Sequence, residues 1–522
     1  MTYNKLFLNC ALFAVLITSV SNKCFSQNKS KKLPNILFIM SDDHTSQSWG
    51  IYDEIFKDYV INNNIKRLAD EGIVLNNAFC TNSICVPSRS SIMTGQYSHK
   101  NGIYTLKEGL SPDSLNIAKV MQSNGYQTAI IGKWHLKNMP TGFDFFKVLP
   151  GQGVYNNPRF KTAENWENGN NGGQIQNGFS TDIIADESIK WLDNRDPNKP
   201  FFLMTHFKAA HEPYDFPEKF KDLYKNVQFP EPENLYDFGP NTTQRTFIGQ
   251  KIEELVRRWE TAAKEGNQIN YPELPFEIIG LDSIQIRKKA YQKLIKDYLR
   301  CTAGINDNLG KILQYLDQNN LTENTVVIYT SDQGYFLGEH GFFDKRMFLE
   351  ESLRMPFVIR YPKEIKGGIR IDDIILNIDI PALIADYGGL KKIPSFQGVS
   401  FRDNLLQKTS PNWRTSMYYR YYAHSMSRPA HFGIRNKRYK LIFYYGLPLS
   451  LKGSYTQTAT VPSWEFYDLL VDPKENYNEY QNSEYIETIQ QMKKELIKIR
   501  IEMGDLDLDF PEMNLIINKF WG

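Results

Sequence analysis

The chain has 522 residues, with 61 Lys and Arg against 59 Asp and Glu, a formal net charge of +2, and 41% apolar, 23% charged and 13% aromatic residues. That composition is globular, with material for a large core, and it excludes a disordered chain. The charge balance gives no basis for holding nucleic acid by bulk electrostatics, and 5 cysteines are too few to staple a chain of this length.

The first 26 residues read as an address. Lys5 precedes an apolar stretch, Leu6 to Thr18, and small side chains at Cys24 and Ser26 stand at the −3 and −1 positions of a cut before Gln27. This predicts a secretory signal peptide over residues 1–26. The mature protein is then expected in a periplasmic or extracellular compartment, with no stable membrane span, since the apolar stretch is too short and poorly flanked to anchor. Cleavage removes Cys10 and Cys24 and leaves Cys80, Cys85 and Cys301, an odd count in an oxidising compartment.

The mature chain alternates strands and helices. Asn35–Met40 is a nearly continuous apolar run, as in a buried parallel strand. Ile65, Leu68 and Ala69 mark a helix face closed by Gly72, and Ile73–Leu75 resumes extended structure. Leu115, Ala118 and Met121 predict a helix stopped by Gly125. Thr128–Ile131, Phe201–Met204 and Val326–Tyr329 are further buried strands. The alternation predicts an α/β fold, a large mostly parallel sheet sandwiched by helices, over residues 27–390. An Asn/Gly-rich loop at 151–180 and a polar, Pro-containing insertion at 212–285 interrupt it. Beyond residue 390 the segments Tyr418–Tyr422, Phe432–Ile434 and Tyr439–Tyr445 are β-prone, and Glu484–Met503 is an amphipathic helix with Ser483 placed to cap it. Residues 391–522 therefore read as a smaller C-terminal α+β subdomain containing an antiparallel sheet.

In an open α/β sheet, ligands gather at the carboxyl ends of the strands. Four predicted strands end in polar residues: Ser41-Asp42-Asp43-His44, Gly132-Lys133-Trp134-His135, Thr205-His206 and Ser331-Asp332-Gln333-Gly334. Oxygen donors from Asp42, Asp43, Asp332 and Gln333 suit Ca²⁺ or Mg²⁺ better than zinc. In Cys85-Val-Pro-Ser-Arg-Ser-Ser-Ile-Met-Thr-Gly95, Pro87 suits the first turn of a helix, which places Cys85 at the helix N-terminus. Local physics there favours an anion and a low-pKa thiol.

That segment resembles the sulfatase signature, C-x-P-S-R followed by M/L-T-G. The resemblance runs through Asp42-Asp43, Gly132-Lys133-Trp134-His135, His206, Ser331-Asp332-Gln333-Gly334, Gly338-Glu-His-Gly341 with Lys345-Arg346, and Trp464-Glu-Phe-Tyr-Asp468 before Asp472-Pro473. Gln96 and Gln333 depart from the residues most common at their positions. The chain is thus similar to formylglycine-dependent (type I) sulfatases of the alkaline phosphatase superfamily, and most similar in layout to secreted bacterial polysaccharide sulfatases. The resemblance implies that a maturation enzyme converts Cys85 to formylglycine, whose hydrate offers one oxygen to attack sulfur and another whose proton loss expels sulfate. It implies a cation, Ca²⁺ with Mg²⁺ as the alternative, held by Asp42, Asp43, Asp332 and Gln333 with residue 85 completing the set. Arg89 would support the hydrate and the acids, Lys133 and Lys345 would bind sulfate oxygens, His135 would assist at residue 85, and His206 would contact the sulfate and protonate the leaving oxygen.

The expected substrate is a sulfated oligo- or polysaccharide, either algal, such as ulvan, or a glycosaminoglycan. The Tyr418–Tyr422 segment with Arg420 and His424 is expected to wall the cleft. His211, close behind a strand end, either lines the substrate cleft or starts the insertion; His44 is equally open, His340 in the Gly-Glu-His-Gly loop is a weaker candidate for substrate contact, and pairing of Cys80 with Cys301 stays open. The rival readings are a phosphatase or phosphonate monoester hydrolase of the same superfamily and a non-catalytic sulfated-glycan-binding protein.

Overall fold

A computed structural model describes residues 33–52, 54–236, 250–265 and 271–522. The predicted signal peptide, with Cys10 and Cys24, and parts of the 212–285 insertion lie outside the described residues. Residues 34–522 form one compact unit.

Its centre is an eight-stranded sheet. The strands are β1 (Asn35–Ser41), β2 (Ile73–Leu75), β3 (Gln127–Lys133), β4 (Phe145–Leu149), β5 (Phe201–His206), β6 (Thr325–Ser331), β7 (Phe357–Arg360) and β8 (Ile369–Ile371). Their order across the sheet is β8-β2-β7-β6-β1-β5-β3-β4. All neighbours pair in parallel except β7, which runs antiparallel to both β6 and β2. Every residue of β1, β5 and β6 is buried, which explains their unbroken apolar sequence.

Helices cover both faces. On one face, α1 (Asn63–Asp70), α4 (Ser180–Asn194) and the 36-residue α5 (Ser283–Gln318) pack together over Leu37, Ile39, Ile131, Leu203 and Val327. On the other lie α2 (Cys85–Thr94), α3 (Ile117–Ser123) and α6 (Ile380–Tyr387). α5 opens with a capping box: Asp282 accepts from the Gln285 backbone N–H at 2.8 Å, and the Gln285 side chain accepts from the Asp282 N–H at 3.0 Å.

A separate four-stranded antiparallel sheet follows, made of β9 (Ser416–Tyr421), β10 (His431–Asn436), β11 (Tyr439–Tyr444) and β12 (Ser463–Asp468) in sequential order. Helix α7 (Ile486–Met503) packs on it.

Two expected helix starts move. Leu115 stays outside α3 and is half-exposed, because the Asn116 side chain accepts the Lys119 N–H at 3.1 Å and starts the helix after it. Asn482, not Ser483, supplies the capping oxygen, to the Glu484 N–H at 3.0 Å, and a short 3₁₀ turn precedes α7. Loop 151–180 carries one small antiparallel pair, Arg159–Phe160 with Gln174–Ile175, and the described part of the insertion carries the helix Glu253–Glu265.

Candidate active site

The strand register brings the four polar strand ends to one edge. Met40 lies opposite His206, Ser41 opposite Ser331, and Gly132 opposite His206. Asp42, Asp43, Lys133, His206, Asp332 and Gln333 thus meet at the carboxyl end of β1, β3, β5 and β6 without long-range bending of the chain. Gly132 is required for this closeness. It sits at φ +107°, and a Cβ there would lie 1.9 Å from the His206 carbonyl oxygen. Asp43 (φ 60°), His135 (φ 56°) and Arg346 (φ 97°) also hold left-handed backbone, which for such residues marks a site whose surroundings dictate the conformation.

Helix α2 enters from the side. Cys85 is its first residue, with Ile84 before it in extended conformation and Gly95 at φ 65° closing it. Ser88 Oγ donates to the Asp332 carbonyl at 2.5 Å, and Asn377 holds the same hydroxyl at 3.0 Å, so the helix is tied directly to the β6 end. Cys85 is 1% exposed. Its Sγ stands 3.4 Å from Asp42 Oδ1 and 3.6 Å from Gln333 Nε2. One turn along α2, Arg89 Nε donates to Asp332 Oδ2 at 2.9 Å and Nη1 to the Lys133 carbonyl at 2.9 Å, and Nη2 lies 3.7 Å from Asp42 Oδ1.

The carboxylates are matched by cations. Lys133 Nζ pairs with Asp42 and donates to Gln152 Oε1 at 2.5 Å; Lys345 Nζ donates to both Asp43 oxygens, at 2.7 and 2.5 Å. The three acids Asp42, Asp43 and Asp332 are therefore balanced by Arg89, Lys133 and Lys345, all nearly fully buried. Burial lowers Lys133 well below the usual ammonium range, and neighbouring Lys208 and Lys345 add to this. Asp43 is pushed up to about 6, by burial first and by Asp332, against the pull of Lys345.

Oxygens of Asp42, Asp43 and Asp332 lie within 4.8 Å of one another. Gln333 donates Nε2 to Asp43 Oδ1 at 2.6 Å, while its Oε1 is buried with no hydrogen-bond partner among the described residues. Three convergent carboxylates and an unpartnered amide oxygen fit a hard divalent cation.

The cysteine does not behave as its helix position alone suggests. Burial, then Asp332 and Asp43, push the Cys85 thiol up to about 11 although Lys345 pulls the other way. The expected low-pKa thiol is overturned, because burial and the Asp332 and Asp43 carboxylates outweigh a helix dipole that falls off within one turn.

Three histidines approach the cluster. His206 is 3% exposed, and its Nδ1 lies 3.2 Å from the Lys133 carbonyl oxygen. Burial and Arg89 hold it down at about 3. His135 follows Lys133, with an unpartnered buried Nδ1, and burial and Lys133 hold it well below the usual imidazole range. His211, expected either to line the cleft or to start the insertion, is at the cluster: its ring nitrogen lies within 4.8 Å of both Cys85 Sγ and an Asp42 oxygen, and Nε2 is 3.8 Å from Asp43 Oδ2. Its loop is fixed to β1: the Asp42 N–H donates to the Ala209 carbonyl at 2.9 Å and the Ala210 N–H to the Asp42 carbonyl at 2.7 Å. His211 Nδ1 donates to the Glu212 carbonyl at 2.8 Å, which leaves Nε2 facing the acids. The sequence signal for it is its place five residues beyond the end of β5, on a loop at the active edge.

His44 and His340 are buried supports. His44 Nδ1 bonds the Tyr329 hydroxyl at 2.8 Å, and the His340 ring packs edge-on to Phe336. The expected aromatic wall is absent from the cleft. Tyr418, Tyr419, Tyr421, Tyr422 and His424 are buried, and Arg420 pairs with Asp505 and Asp507 at 2.8 and 2.7 Å inside the C-terminal subunit of structure. Strand alternation is lost as a guide there because both faces of β9 are covered, one by α7 and the other by the catalytic layer. Cys80 and Cys301 are both free and buried. Among the described residues, no helix is long and apolar enough to cross a membrane.

The family model described as Sulfatase matches residues 34–390, and one described as N-sulphoglucosamine sulphohydrolase, C-terminal, matches residues 338–502. An N-acetylglucosamine-6-O-sulfatase of Bacteroides thetaiotaomicron is 34% identical over 96% of this chain and 92% of its own. An ulvan-active sulfatase of Formosa agariphila is 24% identical over 97% of this chain and 88% of its own. A solved structure in complex with its substrate, D-glucosamine-2-N,6-O-disulfate, superposes with a TM-score of 0.82 at 33% identity, covering 92% of this chain and 100% of that one. The protein belongs to the sulfatase family and is a sulfuric ester hydrolase.

Proposed function

We propose that the protein removes 6-O-sulfate from glucosamine residues of a sulfated glycan, after conversion of Cys85 to formylglycine and with Ca²⁺, or alternatively Mg²⁺, in the acid cluster. The observation that carries this reading is the constellation around residue 85: three buried carboxylates, three buried cations and an unpartnered amide oxygen within one small volume. The similarity to an N-acetylglucosamine-6-O-sulfatase over nearly the whole chain supports the sugar and the position.

The thiol itself is a poor candidate for the nucleophile, since it is held at about 11 and is largely protonated at neutral pH. Conversion explains why a cysteine stands here. Cys85 is 1% exposed, so the maturation enzyme must act before the chain folds. A cation held by Asp42, Asp43, Asp332 and Gln333, beside residue 85, would supply Lewis-acid polarisation of a sulfate oxygen.

The protein's own groups do the rest. Arg89 fixes Asp332 and the Lys133 carbonyl through its planar fork and keeps α2 in register with β3 and β6. Lys133 and Lys345 supply the ammonium groups for sulfate oxygens. His135, one residue beyond Trp134 and under the influence of Lys133, assists at residue 85. Proton donation to the leaving oxygen, expected of His206, is assigned to His211, because His211 Nε2 lies 3.8 Å from Asp43 Oδ2 while His206 Nδ1 is turned to the Lys133 carbonyl. His206 then positions the Lys133 backbone. Residues 1–26 direct export, which places the enzyme in the periplasm or outside the cell.

The test is a side-by-side assay of the purified mature protein on 6-O-sulfated N-acetylglucosamine, an aryl sulfate and an aryl phosphonate, with and without chelator. Sulfate release from the sugar that falls on chelation and returns with Ca²⁺ supports the reading. Faster turnover of the phosphonate contradicts it.

A further inference from the structure

The catalytic acids and cations cancel, yet a second group of cations stands beside them. Asp344, Lys345 and Arg346 are consecutive, and only Lys345 turns to Asp43. Arg346 Nε donates to Asp344 Oδ2 at 3.0 Å, and Arg428 Nη1 lies 3.6 Å from the same oxygen. Two guanidiniums thus share one carboxylate. Both also converge on one ring: the Arg428 guanidinium carbon lies 5.0 Å from the Tyr455 centroid and that of Arg346 lies 5.9 Å from it.

Each arginine keeps an open N–H, although the Tyr421 hydroxyl also stands beside Arg346. Arg346 Nη1 and Arg428 Nε are buried and have no hydrogen-bond partner among the described residues. The Arg346 side chain is 11% exposed, Arg428 13% and Tyr455 53%, so this group opens to solvent past the tyrosine. It is also built into the catalytic loop. Gln250 donates Nε2 to the Lys345 carbonyl at 2.5 Å and accepts from Arg428 Nη1 at 3.3 Å. Arg346 is held at φ 97°, and its carbonyl accepts from the buried Tyr419 hydroxyl at 2.7 Å. An unsatisfied buried guanidinium N–H is costly unless an acceptor arrives, and the acceptor that suits two forked cations is an anionic oxygen group.

We propose that Arg346 and Arg428, over Tyr455, form a second anion subsite that takes a second sulfo group on the same hexosamine whose ester is hydrolysed. The proposal rests on the sulfatase reading above. It deepens that reading by making the preferred substrate a disulfated sugar. Arg428 comes from the β9–β10 hairpin and Tyr455 from the loop before β12, so the C-terminal sheet reads the substrate while the large sheet performs the reaction.

The test compares kcat/KM on three probes: glucosamine 6-O-sulfate carrying an N-sulfo group, the same sugar N-acetylated, and an N-acetylated 6-O-sulfated disaccharide with an adjoining uronate. The wild-type enzyme should prefer the N-sulfo sugar over the N-acetyl sugar by about 10–100-fold, the range of charge-assisted hydrogen bonds, and mainly through KM. In Arg428→Gln that ratio should collapse toward one. Tyr455→Ser, at an exposed ring, repeats the comparison if an arginine variant does not fold, and should reduce the ratio severalfold. A wild-type ratio near one overturns the proposal, as does a ratio unchanged in both folded variants. A preference for the uronate disaccharide that is lost in Arg428→Gln overturns the assignment to a sulfo group. Failure of the wild-type enzyme on every sulfated probe, an aryl sulfate included, refutes the sulfatase reading instead, so the two failures are distinguishable.

Discussion

Replacing His211 with Ala tests the proton economy of the site. In the free protein, burial first, then Lys133, Lys345 and Lys208, hold the imidazole well below its usual range. Its Nδ1 donates to the Glu212 carbonyl, so the neutral ring presents a bare Nε2 to the cluster. A bound sulfate monoanion opposes these cations and favours the protonated form. Substrate thus raises the ring's proton affinity in the complex, as a general acid requires. His211→Ala should lose about 10²–10⁴-fold in kcat on a sugar sulfate, whose alkoxide must be protonated, and less than about tenfold on nitrophenyl sulfate, whose phenolate leaves unaided. The acid form is the active one, so kcat of the wild-type enzyme on sugar sulfate should fall as pH rises through the pKa of the complex, and the variant should lack that limb. Equal losses on both substrates, or an alkaline limb that survives, would refute the reasoning. His206→Ala should lose rate equally on both substrates, as befits a residue that positions Lys133; a loss confined to the sugar sulfate would return the acid role to His206.

Two further outcomes concern stability. Arg89→Met removes the buried partner of Asp332 and leaves the three site acids with two cations, so unfolding by denaturant should show a loss of about 3–5 kcal/mol, and Arg89→Lys should recover little of it because the fork is gone; a change under about 1 kcal/mol would contradict the charge balance described. Asp505, buried under β9, is held down at about 2: burial pushes it up, but Arg420, His99 and Arg500 override that. A depressed carboxylate stabilises the fold above its ordinary pKa, and that contribution, about 2 kcal/mol here, is lost as pH falls from about 4 through about 2. Asp505→Asn should therefore be less stable than wild type at pH 6, with the gap closing toward pH 2; a gap independent of pH argues against it.

The layers were legible because burial on both faces writes a strand as an unbroken apolar run. Asn35–Met40, Phe201–Met204 and Val326–Tyr329 could hardly be anything else, and their polar ends announced the site. The register did the remaining work, since parallel neighbours end at one level. Features that depend on what packs against a segment from elsewhere in the chain were hidden. Helix position suggested an acidic thiol at Cys85, but the charges that decide its ionisation come from β1 and β6. The tyrosines of β9 looked like a cleft wall and are core, because α7 and the catalytic layer cover both faces. Arg428 and Tyr455 lie in unremarkable loops, and only the fold brings them over Arg346. His211 carries no local pattern of its own; its backbone ties to Asp42 give it its place.

Residue 85 is proposed to act as formylglycine and not as a thiol. Intact mass of the mature protein, produced with and without a formylglycine-generating enzyme and read beside sulfate release from a 6-O-sulfated glucosamine, tests it most directly. The converted protein should be lighter by one sulfur-to-oxygen exchange and two hydrogens, localised to the peptide containing residue 85. Turnover should rise in proportion to the converted fraction and be absent in Cys85→Ala. Full turnover by protein that retains the unmodified thiol, or by Cys85→Ala, would contradict it.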